Sequence, residues 1–247
     1  MTRTLEWDGC LNVRDLGGVP LEGGGHTRYG TLVRADNVRK LSDAGWRALD
    51  EHGVVRIVDL RWAEELDEDP PRDVAVDVVH VSLLGKLDVD YKDDIDTYIV
   101  AGDPAGYWTV SYTGILDRFQ ENFGRAIAAI ADAPDGPVVF HCVEGKDRTG
   151  LTAALLLRLA GAPIDVVAAD YALTEANLDA GPRTWIESAP DETVRRRREL
   201  MRQTPAAAMA RTLEQLEERW GGVREYLRAA GLSDAQLDRL EARLAAA

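Results

Sequence analysis

The chain has 247 residues, with 29 Lys and Arg against 43 Asp and Glu, and a formal net charge of −14. With 45% hydrophobic and 29% charged residues it has the composition of a chain that buries a core, and its acid excess excludes non-specific affinity for nucleic acid or anionic membrane. The longest apolar stretch, around Leu151 to Leu157, is far below the roughly 20 residues of a membrane span, the N-terminal residues lack the apolar core of a signal peptide, and Cys10 and Cys142 are too few for a disulfide framework or a four-cysteine zinc site.

In chain order, the first 40 residues are rich in Gly and short apolar runs ending in Tyr29-Gly-Thr-Leu-Val-Arg34, which predicts strands and turns. Ser42 is placed to cap a helix running to about Glu51, stopped by Gly53. Val54 to Leu60 and Val74 to Val81 are β-rich runs, separated by an acidic segment, Glu64 to Asp69, and a Pro pair. Residues 85 to 106 are polar and read as a loop or lid. Asp88, Asp90 and Asp94 have the spacing of a calcium loop, but Asp93 stands where that loop needs Gly and Ile99 where it needs Glu, so calcium is rejected. Ile115, Phe119, Phe123, Ile127 and Ile130 recur at three- and four-residue steps and predict one helix over 108 to 131.

Pro137 to His141 reads as a buried strand leading into Cys142, and from Thr149 onward the pattern is helical. A buried helix over Thr149 to Leu159 is followed, after Gly161 and Pro163, by another reaching about Leu178. Met209 to Leu227 shows one apolar face, with Gly221-Gly222 weakening or bending that helix. Ser233 and Gln236 form a capping box that opens the last helix. Strands separated by helices predict an α/β fold, a mostly parallel central sheet flanked by helices with a helical region over 163–247, and no break in composition divides the chain into separate domains.

The chemistry concentrates in His141-Cys-Val-Glu-Gly-Lys-Asp-Arg-Thr-Gly150: a strand end, a phosphate-sized loop and a helix start. Loop amides and the positive end of the helix favour an oxyanion and, in the same place, a thiolate on Cys142, since such surroundings lower a thiol from about 8.5 to roughly 3.5–7.5. Arg148 offers a planar fork to two phosphate oxygens. Gly145 lets the backbone curl around the anion, and the Thr149 hydroxyl can donate to the thiolate. His141 reads equally as a tuner of the thiolate and as a hydrogen-bonded histidine of the strand end. Four consecutive arginines, Arg195 to Arg198, spread around a helix rather than form one patch, and Cys10 reads as a packing residue.

This segment resembles the signature of cysteine-dependent protein tyrosine phosphatases, His-Cys-x5-Arg followed by Thr or Ser. Gly-Lys-Asp-Arg-Thr-Gly is similar to a bacterial branch of atypical dual- or multi-specificity enzymes, as are Asn12-Val-Arg-Asp-Leu-Gly-Gly18, Arg34-Ala-Asp36 and Val58-Asp-Leu-Arg61. The resemblance implies one phosphatase domain over 1–247 and double displacement without metal or cofactor. Cys142 becomes the nucleophile, and Arg148 with the loop residues Val143, Glu144, Gly145, Lys146, Asp147 and Thr149 binds phosphate. Asp147 is the first candidate for the general acid, Asp59 the second and Asp88 the third. His141, Asp59, Arg14 and Asp15 become supporting residues. Lys146 admits phosphoinositides beside phosphotyrosine proteins, while Glu144 departs from the small residue usual in that branch and weighs against inositol lipids. The expectation is a cytoplasmic phosphatase with no nucleic-acid partner and no membrane insertion; the alternatives are a phosphoinositide or dual-specificity enzyme and a non-catalytic phosphate-binding module. A sulfur-transfer or arsenate-reducing enzyme is remote, because no resolving cysteine lies near the loop.

Overall fold

The computed structural model describes residues 2–70, 72–84, 98, 101–181 and 183–245. Five strands, β1 (Arg14–Asp15), β2 (Leu32–Ala35), β3 (Arg56–Asp59), β4 (Asp77–His80) and β5 (Val138–His141), form one sheet in the order β1-β2-β5-β3-β4. β1 is antiparallel to β2 and every other pair is parallel. The helices of the described residues are α1 (Asp43–Glu51), α2 (Ala63–Glu68), α3 (Pro104–Arg118), α4 (Gln120–Ala131), α5 (Asp147–Leu159), α6 (Ile164–Asp179), α7 (Thr184–Glu187), α8 (Glu192–Arg202), α9 (Ala206–Trp220), α10 (Val223–Ala229) and α11 (Asp234–Leu244). None is long and apolar enough to cross a membrane.

The three inner strands are apolar on both faces, as strands of a parallel sheet covered on both sides must be. Alternation assigns the faces. Leu32, Val58, Val138 and Phe140 point into the larger core with the C-terminal helices, whereas Val33, Ala35, Ile57 and Val139 face a smaller core with Trp7, Val13, Leu41 and Leu49. The pairings Ala35 with His141 and Asp59 with His141 bring the C-terminal ends of β2, β5 and β3 level. Asp36, Cys142 and Leu60-Arg61 therefore leave the sheet along one edge, the position where open parallel sheets bind ligands.

Helix α1 begins and ends as the sequence predicts, with Ser42 accepting from the Ala44 and Gly45 amides and Gly53 at φ +78°. The single helix expected over 108–131 is two. Asp103 caps a start at Pro104, and Phe119, at φ −113° and ψ 26°, interrupts the helix before Gln120. The interruption redirects the chain, so that α3 packs on α9 while α4 packs on β3 and α11. The apolar steps continue through Phe119 because both helices have a buried face, and the repeat alone does not register the break. The helix expected across Gly221-Gly222 is likewise two: Gly221 adopts the left-handed conformation at φ +81° and ends α9. Residues 85–97, 99 and 100, which hold most of the expected lid and Asp88, lie outside the described residues.

Candidate active site

Residues 142–146 connect β5 to α5, and the carbonyls of Val143, Glu144 and Gly145 are bonded to residues outside the loop. The Val143 carbonyl accepts from the Asn37 amide, the Glu144 and Gly145 carbonyls accept from Asn12 Nδ2 at 3.0 and 3.1 Å, and Gly145 also accepts from Arg34 at 2.8 Å. A peptide plane whose carbonyl is held outward presents its N–H to the inside. Consistent with that, the amides of residues 143–149 have no protein acceptor among the described residues. Such an arrangement at a helix N-terminus is suited to receive an anion. Gly145 sits at φ +64°, and a Cβ there would lie 2.6 Å from the Ala35 carbonyl oxygen, so the close approach of β2 also requires glycine.

The N-terminal segment supplies the outward contacts. Asp36 accepts from the amides of Leu11 and Asn12. Arg14 donates to Asn12 Oδ1 at 2.6 Å and to Asp170 at 3.1 Å, and Arg34 reaches Asp170 at 2.7 Å. Arg3 makes a third ion pair with Asp170. Burial opposes the charge on Asp170, but Arg14, Arg34 and Arg3 hold its carboxyl far below the usual range. Arg14 thus braces the loop through Asn12. Asp15 acts elsewhere, since its carboxylate accepts from the Gly17 and Gly30 amides and holds the turn beside β1.

Cys142 is 3% exposed and belongs to the rim of the larger core. Arg148 lies one residue into α5 and donates through both terminal nitrogens to Glu65, at 2.5 and 2.9 Å. Glu65 Oε2 also accepts from the Trp62 amide at 2.7 Å, so the carboxylate that closes the first turn of α2 holds the arginine as well. Burial opposes the Arg148 charge, but the field of Cys142 and the Glu65 bonds outweigh it and raise its pKa. Nη1 also donates to the Leu60 carbonyl at 3.5 Å, so of the five N–H donors of the guanidinium, Nε–H and one hydrogen on Nη2 remain for an anion. The Thr149 hydroxyl is fully buried and has no hydrogen-bond partner among the described residues.

His141 is buried, its Nδ1 3.2 Å from the Cys142 carbonyl oxygen and its Nε2 3.7 Å from Asp59. Burial lowers its pKa, which keeps the ring neutral. Asp59 is 1% exposed and takes the Arg61 guanidinium at 2.8 to 3.0 Å. Burial would raise its pKa, but His141 and Arg61 lower it. An enclosed carboxylate with its oxygens committed to Arg61 is a brace, and Asp59 is ill suited to the acid role given second place in the sequence. Asp147 differs. It is one-third exposed, accepts from the Tyr112 hydroxyl at 2.5 Å and lies 3.7 Å from Lys146 Nζ.

Lys146 departs from the expectation of a second cation for phosphate. Its side chain is 2% exposed, and Nζ lies 3.8 Å from the Trp108 ring centroid and donates to the Met201 carbonyl. Burial lowers its pKa despite Asp147 and Glu144. Glu144 is exposed and contributes its carbonyl. The Cys10 thiol donates to the Asn37 carbonyl, and burial pushes its pKa up, which disfavours the thiolate. On α8, Arg195, Arg198 and Arg202 each have different partners, Glu192, the Trp185 carbonyl and Asp179. Among the described residues no cluster of three or more His, Cys, Asp or Glu is arranged for a metal ion.

Sequence reasoning missed Glu65, Asp170 and Tyr112. Glu65 sits four residues after Arg61, at the third position of a helix, where a carboxylate reaching back to the first amide is a readable signal. Asp170 and Tyr112 lie in the interior of helices, and nothing local in the sequence distinguishes them.

A family model described as the tyrosine phosphatase family matches residues 5–246. The chain is similar to a tyrosine-protein phosphatase of Nostoc commune, 31% identical over 86% of this chain and 74% of that protein. It is also similar to the triple specificity protein phosphatase PtpB of Mycobacterium tuberculosis, 27% identical over 95% and 96% of the two chains.

Proposed function

As the chain belongs to the tyrosine phosphatase family, we propose that Cys142, Arg148 and Asp147 carry out its phosphatase reaction on phosphotyrosine proteins, within a single domain and in the cytoplasm. The observation that carries the reading is the loop of inward amides, with its carbonyls tied outward, joining Cys142 to an Arg148 already held in place by Glu65. The Cys142 thiolate attacks phosphorus as the bond to the tyrosine oxygen breaks, and Asp147 gives that oxygen its proton. The inward amides and the free donors of Arg148 stabilise the equatorial oxygens of the transition state. Water then attacks the phosphocysteine and passes a proton back to Asp147, and the thiolate departs toward the Thr149 hydroxyl.

The engagement of Lys146 with Trp108 and Met201 favours phosphotyrosine over inositol lipids, because the extra cation that would recognise a second phosphate is committed elsewhere. Phosphate release from a phosphotyrosine peptide, with chelator present, tests the reading. Cys142→Ser should lose about 10⁴-fold or more of the turnover, and Asp147→Asn about 10²- to 10⁴-fold. Turnover by Cys142→Ser close to wild type would sink the covalent route. Wild-type phosphoinositide turnover matching that on the peptide would overturn the substrate preference.

A further inference from the structure

Asp147 is not an isolated carboxylate. On α3, Trp108 and Tyr112 are one turn apart and meet the adjacent loop residues, Trp108 covering Lys146 and Tyr112 binding Asp147. Tyr112 is fully buried, and its oxygen is 2.5 Å from Asp147 Oδ1 and 2.7 Å from the hydroxyl of Tyr171 on α6, itself fully buried. Lys146 Nζ stands 3.7 Å from the same Oδ1. Oδ2 of Asp147 has no partner among the described residues.

We propose that Tyr112, backed by Tyr171, is a positioning residue that pins Oδ1 of Asp147 and leaves Oδ2 as the oxygen that carries the proton to the leaving group. This rests on the acid role of Asp147. Each tyrosine has one hydroxyl proton. An ionised Asp147 can only accept, so Tyr112 must donate to it and Tyr171 must donate to Tyr112. When Asp147 is protonated on Oδ2, the same chain stands unchanged. In the transfer the Oδ2–H bond breaks and an O–H bond forms on the leaving oxygen. Asp147 becomes a carboxylate whose Oδ1 is already bonded to Tyr112 and whose charge faces Lys146, so no group has to reorganise. Burial, then the Asp147 charge, push the Tyr112 phenol well above its ordinary value, which keeps its proton in place.

The leaving group separates this role from plain packing. Phosphotyrosine departs as a poor leaving group and needs the acid, whereas 4-nitrophenyl phosphate departs as a stabilised phenolate and needs it far less. Tyr112→Phe should lower turnover of phosphotyrosine peptide about 10- to 100-fold, the scale of a misplaced catalytic group, with only a few-fold change on 4-nitrophenyl phosphate. Added to Asp147→Asn, the same substitution should cost nothing further on the peptide. Tyr171→Phe leaves the donor on Asp147 and should show the same split at smaller amplitude, which keeps the test open if Tyr112→Phe folds poorly. Tyr226→Phe removes a buried hydroxyl bonded to the Leu116 carbonyl, away from the loop, and should show no split. Equal losses on both substrates, or a full additional loss in the double variant, would overturn the positioning role. If Asp147→Asn itself shows no leaving-group split, the acid is not Asp147, and the role of Tyr112 falls with it.

Discussion

At the scale of single residues, the role proposed for Arg148 depends on how its guanidinium is held. Glu65 occupies one hydrogen on each terminal nitrogen and is fixed from behind by the Trp62 amide. Burial raises the Glu65 pKa, but the Arg148 and Trp62 bonds outweigh this and lower it overall. The clamp is therefore ionised at neutral and mildly acidic pH and is lost as pH falls below the ordinary glutamate value near 4.3, toward its depressed folded value. Glu65→Gln keeps the shape and removes the charge. We expect kcat/KM on phosphotyrosine peptide to fall by about 10- to 100-fold at pH 7, since a loosened guanidinium misplaces the transition-state contacts. Wild-type kinetics in that variant would show that Arg148 does not need its clamp. Gly145→Ala acts on the loop itself: a Cβ would meet the β2 backbone at a left-handed φ, so loss of phosphate binding should accompany loss of stability. Isothermal titration with inorganic phosphate reads the first and thermal unfolding the second.

At the scale of elements, the sequence located helices more reliably than it located their ends. Ser42, Gly53 and the Ser233–Gln236 box are visible because a cap is made by residues adjacent in sequence. The interruption at Phe119 is not visible, because what turns α4 away from α3 is the pair of surfaces they pack on, β3 with α11 for one and α9 for the other. Gly221 lies between these cases. A Gly pair marks a weak point, but only the observed φ of +81° identifies a termination rather than a bend. A Cβ at Gly221 would meet open space, so Gly221→Ala isolates the backbone cost. We expect about 1–2 kcal/mol for a non-glycine residue in the left-handed region, which lowers Tm by about 2–4 °C for each kcal/mol in a chain of this size. An unchanged Tm would mean that the helix end relaxes without penalty.

Across the whole molecule, Asp170 ties distant parts of the chain to the site. It gathers Arg3, Arg14 and Arg34, of which Arg34 holds the Gly145 carbonyl directly and Arg14 acts through Asn12. Removing its charge leaves buried guanidinium groups without a counter-charge, a change that costs about 3–5 kcal/mol for a buried pair. Asp170→Asn should therefore unfold earlier in urea at pH 7. Because the folded pKa is depressed, the stabilisation is fully present above the unfolded value near 3.9 and is lost as pH falls through the folded value. The gap between wild type and variant should stay constant from about pH 5 to 8 and narrow below about pH 4. A gap that persists undiminished at pH 2 would show that Asp170 stabilises through packing alone.

By itself the sequence determined the sheet-and-helix class and the loop around Cys142 and Arg148. Both rest on spacing along the chain: alternation in strands, recurrence in helices, and a six-residue interval that one loop can close around an anion. Tertiary structure alone decided what each charge near that loop does. Asp59 and Asp147 are both carboxylates close to the site in sequence or register, yet one is enclosed by Arg61 and the other stands partly open under Tyr112. Lys146 has the charge expected of a phosphate contact, but packing on Trp108 and the Met201 carbonyl commits it elsewhere. The role of a charged group follows from its burial and its partners, and those come from helices many residues away in sequence.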